Sequence, residues 1–336
     1  MRAVRLHDVN DIRFEEVELA CMPADGHVRL KVAYAGICGS DIHNYKTGQW
    51  ISRRPSTAGH EFSGIVDAIG EGVSGFAPGD KVVADSRDYC AKCAKCDADQ
   101  PHLCENLGFV GESIDGGFAD FVDLPERLVF RVAPETQLDV LTLAEPLAVA
   151  LHALAMMDVS DRPLLVIGCG PIGALAAVAS RYTSNREVFV CDQNHERATA
   201  VAQAADAAAV SLADFESLSK NSTHPVSQVL DTTGHVSVIR TVLNSLAGGT
   251  LGLVGIGSGK IEFDPVQAVE REFRIVGCHA FTDEMFPAIA LLEKHSEVFE
   301  SLIRHRVSLE DVPSEYARIV NGKARGIKTL IKINPE

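Results

Sequence analysis

The sequence predicts a two-domain α/β protein in which a β-rich, barrel-like domain is joined to a doubly wound parallel sheet. Three observations predict it. Short runs of alternating hydrophobicity, broken by glycine and proline, fill the first third of the chain. From about residue 140 the texture becomes apolar and rich in Ala and Leu, and strand-like and helical runs then alternate. Within that second part, a glycine-rich turn joins a buried strand to an Ala-rich helix. With 336 residues, 46% hydrophobic and 23% charged, the chain can form two ordinary domains with ample cores.

Residues 12–17, 27–32, 61–66 and 80–84 read as strands. Two motifs fall in the turns between them: Cys38-Gly39-Ser40-Asp41-Ile42-His43 and Gly59-His60-Glu61. Together they supply a thiolate, two imidazoles, carboxylates and a hydroxyl. Catalytic zinc takes three ligands from Cys, His and Asp/Glu and keeps one position open. Cys38 and His60 are the first two candidates, with Glu61 as the third. Metal in such a site lowers the pKa of an oxygen in the open position from about 16 toward about 7. Cys90, Cys93, Cys96 and Cys104, separated by two, two and seven residues, suit a closed Cys₄ zinc site of structural role.

Residues 141–154 read as a single apolar helix whose only charge, Glu145, is either a partnered core group or a functional one. A buried strand at 164–167 then meets the turn Gly168-Cys169-Gly170-Pro171-Ile172-Gly173, which opens a helix running through Ser180. A second strand at 187–191 ends at Asp192. Glycines at this spacing let backbone N–H groups approach a pyrophosphate at the helix N-terminus, and the acid binds the adenosine ribose 2′-OH. Asp192 repels a 2′-phosphate, so NAD is expected over NADP; Arg197 tempers that preference or lies along the adenine. Strands at 229–234, 249–255 and 273–277 continue the α/β pattern, with helical runs at 197–205 and 236–246. Their C-terminal loops, including Val254, Gly255, Ile256, Cys278 and His279, are candidates for the nicotinamide half. A helix near 285–295 and strand-like runs at 305–309 and 329–333 lead back to the first domain. The expected divisions are 1–150, with a zinc lobe near 88–105, then 151–284, then a return segment at 285–336.

Composition limits the partners. A net charge of −15 opposes nucleic acid and an anionic membrane surface. No apolar run is long enough to span a bilayer, and the first residues lack the apolar core of a signal peptide. Nine cysteines, four of them clustered, read as metal ligands in a reducing compartment, so a cytoplasmic enzyme acting on a small molecule is expected.

In the order and spacing of these motifs, with Ala144-Glu145-Pro146 added, the chain resembles the zinc-dependent medium-chain dehydrogenases over essentially its whole length. Within them it is similar to the polyol and sugar-acid branch, which includes the sorbitol, L-idonate 5- and L-threonine 3-dehydrogenases. The resemblance implies a GroES-like catalytic domain, a Rossmann domain and two zinc ions per chain. It implies Cys38, His60 and Glu61 on the catalytic zinc, with Glu145 as a direct or water-bridged ligand where liver-type alcohol dehydrogenases have a cysteine. Asp41 would orient His60, and Ser40 with His43 would relay a proton. Ile172, Asp192 and Arg197 match cofactor positions, and relatives are homodimers or homotetramers. The expected reaction interconverts a secondary alcohol of a polyol or sugar acid with its ketone. Two rival readings fit less of the chain. A metal-free enone reductase needs neither metal motif, and a zinc-ribbon redox sensor on nucleic acid lacks the basic surface.

Overall fold

The computed structural model describes residues 1–158, 161–184, 186–220, 225–324 and 326–335. The chain divides into two units, Met1–Glu145 with Met285–Glu336, and Pro146–Glu284. The first division falls a few residues before the boundary at 150 expected from sequence.

The first unit is built on the strand His27–Gly36, which is buried along most of its length and pairs with three partners. Glu61–Ile69 and Phe121–Pro125 run antiparallel to it, and Lys328–Lys332 joins it from the far end of the sequence. The main path of this seven-stranded sheet is Val129–Arg131, Lys81–Ala84, Glu61–Ile69, His27–Gly36, Lys328–Lys332, Ile303–Ser308. Register shifts at Arg29/Leu30 and Val32/Tyr34 mark bulges, which bend a strand and raise its twist. Leu30, Phe62, Phe118, Leu124, Tyr316 and Ile331 are fully buried in the core. Arg2–Asp8 pairs with Asp11–Glu16 and Ser56–Thr57 in a smaller sheet. That first strand was not evident in sequence, because Ala3 and Val4 are adjacent and both buried, which breaks the two-residue period.

The expected single helix at 141–154 is two: Leu138–Leu141 and Ala144–Met156. Pro146 explains the break. It has no N–H, and its ring clashes with the carbonyl four residues back, so it fits only in a first turn. Thr142 closes the preceding helix with a 2.6 Å bond from Oγ1 to the Asp139 carbonyl.

The second unit carries a six-stranded, all-parallel sheet. Its spatial order is Ala208–Ala209, Val188–Cys191, Leu164–Ile167, Gln228–Asp231, Thr250–Leu253, Arg274–Gly277. Counted within the unit this is 3-2-1-4-5-6, the dinucleotide-binding order that reverses beside the first strand. Helix Pro171–Thr183 buries residues 173–180 without interruption, which its Ala-rich sequence permits. Among the described residues, no helix is long and apolar enough to cross a membrane.

Candidate active site and zinc centres

Strand His27–Gly36 delivers the chain to Cys38, which stands in extended conformation at the N-terminal end of helix Gly39–Thr47. Asp41 in the first turn serves two neighbours. Its Oδ2 accepts the Cys38 N–H at 2.8 Å, and its Oδ1 lies 3.4 Å from Nδ1 of His60. One carboxylate thus ties the helix start and turns the imidazole, leaving Nε2 as the ring nitrogen available to an ion. Gly59 admits the approach to His60: its φ is +94°, and a Cβ there would meet the Phe118 ring at 2.2 Å. Glu61 then opens its strand fully buried.

A sulfur of Cys38, a ring nitrogen of His60 and a carboxylate oxygen of Glu61 lie within 4.8 Å of one another. Glu61 Oε1 is buried without a hydrogen-bond partner, while Oε2 is paired with the ammonium of Lys328. A buried carboxylate oxygen without a partner, on a residue grouped with a thiol and an imidazole, is a costly arrangement unless a cation completes it. The donor set therefore fits zinc. Burial opposes charge on His60, but Asp41 and Cys38 outweigh it and hold its pKa well above the usual imidazole range. Glu145 lies outside this compact group. It accepts a 2.6 Å bond from Ser86 Oγ, and burial pushes its pKa up to about 7 against the pull of His60.

Ser40 and His43 sit one turn apart on the same helix with different partners. Ser40 Oγ lies 3.3 Å from His60 Nε2. His43 Nε2 lies 2.9 Å from Gln49 Oε1, and its ring stacks on Trp50 at 4.4 Å.

The four-cysteine cluster is a separate centre. Its Sγ–Sγ separations are 3.6 Å for Cys93–Cys96, 3.8 Å for Cys93–Cys104 and 3.5 Å for Cys90–Cys104. Tetrahedral zinc with bonds of about 2.3 Å spaces its sulfurs about 3.8 Å apart, so the thiols stand in the arrangement the ion needs. Backbone N–H groups of Glu105 and Cys96 pull the Cys93 thiol down to about 6. The antiparallel pair Arg87–Asp88 and Gly108–Phe109 closes the base of the lobe, and helix Ala94–Asp97 inside it buries no residue. With so little apolar packing, metal is what can hold this lobe together.

In the parallel-sheet unit, Gly168 follows the first strand at φ +95°. Gly170 then precedes helix Pro171–Thr183, whose first turn includes Ile172 and Gly173. Asp192, at the end of the neighbouring strand, accepts the Cys169 N–H at 2.7 Å and the Asn194 N–H at 2.8 Å. Arg197 reaches both its oxygens, at 3.1 and 2.8 Å. Burial alone would raise the Asp192 pKa, but these donors, led by Arg197, hold it below the usual carboxylate range. Val254, Gly255 and Ile256 follow the strand Thr250–Leu253, and Cys278 and His279 follow Arg274–Gly277. All these positions therefore lie at C-terminal ends of the parallel strands, where open sheets bind ligands.

Several residues of the site carry no signal in sequence. Lys328 is one of two lysines in the strand Lys328–Lys332, a residue type that reads as solvent-facing, yet it is fully buried against Glu61. Gly36 and Ser86 look like ordinary strand and loop residues. Asn44 donates a 2.7 Å bond to buried Glu112 and accepts the Trp50 N–H at 3.2 Å, which anchors the loop after the helix.

Comparison with known proteins agrees with this architecture. The family model described as the alcohol dehydrogenase GroES-like domain matches residues 24–134, and the one described as zinc-binding dehydrogenase matches 171–294. A 2-dehydro-3-deoxy-L-galactonate 5-dehydrogenase from Pseudoalteromonas atlantica is 31% identical over 94% of both chains. The crystal structure of 2R,3R-butanediol dehydrogenase from Bacillus subtilis superposes with a TM-score of 0.89 at 28% identity, covering 98% of this chain and 99% of that one. A zinc-binding dehydrogenase of Sinorhizobium meliloti 1021 bound to NADP gives 0.90 at 27% identity, with 98% of each chain covered. The chain belongs to the zinc-binding dehydrogenase family. It is an NAD(P)-dependent oxidoreductase of alcohols, with a GroES-like domain and a Rossmann domain.

Proposed function

We propose that this enzyme interconverts a secondary alcohol of a polyol or sugar acid with its ketone, preferring NAD over NADP. The observation that carries the reading is the compact group of Cys38, His60 and Glu61, with Glu61 Oε1 buried and unpaired. These three residues would hold the catalytic zinc, and Glu145, outside the compact group but buried in the same unit, would be an additional or water-bridged ligand. Cys90, Cys93, Cys96 and Cys104 hold a structural zinc. Zinc held there would supply Lewis-acid polarisation of the substrate oxygen, and bound NAD⁺ would supply the hydride acceptor.

The chain's own residues position groups and move the proton. Asp41 fixes the tautomer and direction of His60. Ser40, beside His60 Nε2, takes the hydroxyl proton, and His43 one turn on receives it for release to solvent. Trp50 and Gln49 steady the His43 ring meanwhile. Asp192 favours the ribose hydroxyls of NAD over a 2′-phosphate. The polyol or sugar-acid substrate is supported by the sugar-acid and diol activities for which the relatives above are named. A homodimer or homotetramer is supported by the strand Arg274–Gly277, an exposed sheet edge able to pair with its copy.

The test is NADH formation by zinc-loaded protein against a panel of polyols, aldonates, their phosphates, L-threonine and simple alcohols, with NADP⁺ in parallel. Turnover of a sugar-derived secondary alcohol with NAD⁺, lost in Glu61→Ala, is the expected result. A protein that binds zinc only at the four cysteines would remove the proposed catalytic centre.

A further inference from the structure

A lysine sealed beside the proposed ligand Glu61 needs a reason. Both side chains are fully buried. Burying an ion pair is costly in desolvation, and apolar residues of similar volume are often as stabilising or more so. Stability alone therefore does not account for the pair. Its geometry suggests another role. The Lys328 ammonium is bound to Glu61 Oε2 and donates a 3.0 Å bond to the carbonyl of Ile37, the residue before Cys38. One cationic group thus ties together the two segments that carry the candidate ligands Cys38 and Glu61. It occupies one carboxylate oxygen and leaves the other, Oε1, without a partner.

Space for this contact comes from Gly36, which faces Glu61 across one strand pairing and Leu330 across the other. A Cβ on Gly36 would lie 2.4 Å from Glu61 Oε2 and 2.7 Å from Lys328 Cε. The pair passes through a notch that only a missing side chain leaves open. Charge gives a second argument. A thiolate and a carboxylate together cancel the two positive charges of the ion, and a buried ammonium on the outer oxygen draws some of that negative charge away.

We propose that Lys328 is a positioning residue that fixes Glu61 as a one-oxygen ligand of the catalytic zinc, acting through the notch at Gly36. The inference rests on the reading of Glu61 as a ligand, and the experiment separates the two. Zinc affinity of the catalytic site is measured by chelator competition, and the absorption bands of Co²⁺ placed in that site are recorded. The four-cysteine zinc serves as an internal control for folding. Lys328→Met is expected to weaken the catalytic site about 10- to 100-fold, the range for lost outer-sphere partners. It should also shift the cobalt bands while the control zinc stays bound. Lys328→Arg should recover part of the loss.

Wild-type affinity and an unchanged cobalt spectrum in Lys328→Met, with Glu61→Gln still weakened, would overturn the proposal alone. Unchanged affinity in Glu61→Gln would instead overturn the ligand reading beneath it. If Lys328→Met does not fold, the double variant Glu61→Gln/Lys328→Met removes both buried charges and is the decisive protein. Affinity equal to that of Glu61→Gln shows that Lys328 acts through Glu61, and a further loss beyond about threefold rejects it.

Discussion

Asp192 shows how much a single carboxylate can decide. Two backbone N–H groups and both arms of the Arg197 contact converge on it. Removing it frees a guanidinium at the place where a 2′-phosphate would stand, and guanidinium pairs well with phosphate. Asp192→Ala is therefore expected to move the ratio of kcat/KM for NADP⁺ over NAD⁺ upward by roughly 10- to 100-fold, as one or two charge-assisted hydrogen bonds would. An unchanged ratio would show that cofactor choice lies elsewhere. Residues of this kind are legible in sequence because their chemistry is local. Asp192 ends a strand at a set distance after a glycine turn, and Cys38, His60 and Glu61 fall in two dense motifs. Lys328 and Gly36 are different. Their meaning comes from strand neighbours distant in sequence, and no local pattern distinguishes this lysine from a surface one.

At the scale of elements, helix Ala144–Met156 is tied to the end of the parallel-sheet unit through His152, whose Nδ1 lies 2.9 Å from Glu284 Oε1. Burial opposes ionisation of Glu284, but His152 and the Thr282 N–H outweigh it and lower its pKa to about 2. A carboxylate with a depressed folded pKa stabilises the fold above its unfolded value, near 4.5, and loses that contribution as pH falls toward 2. After allowance for partial solvent screening, the contribution is about 1–2 kcal/mol at neutral pH. Glu284→Gln should lower the unfolding free energy at pH 7 by that amount and leave stability less dependent on pH between 4.5 and 2. Parallel wild-type and variant curves across that window would refute the assignment. Elements of this unit were readable because each buried strand is followed by a helix with its own period. The split of the apolar run at Thr142 was less visible, since hydrophobicity continues across it and only Pro146 marks the break.

At the scale of the whole molecule, the edge of the parallel sheet formed by Arg274–Gly277 invites a partner. Arg274–Gly277 ends the parallel sheet and is largely exposed, with Ile275 on it and exposed Val266 and Val269 on the preceding helix. A dimer pairing these edges is expected by analytical ultracentrifugation, and Ile275→Lys should shift it toward monomer, because charge on an edge strand opposes pairing. A wild-type protein that sediments as monomer at micromolar concentration would reject the assembly.

The discontinuity of the first unit also sets an order of events during synthesis. The four cysteines lie within 15 residues and can close around an ion soon after they emerge. Glu61 must wait for a lysine 267 residues later, and the entire parallel-sheet unit is made in between. At the usual 5–20 residues per second, that delay is on the order of tens of seconds. On the proposed assignment, the four-cysteine centre can mature early on the growing chain, whereas the Cys38–His60–Glu61 group is fastened only after the second unit has been translated. A nascent chain with an ion at the four cysteines would therefore be stabilised well before the proposed ligands Cys38, His60 and Glu61 are locked in place.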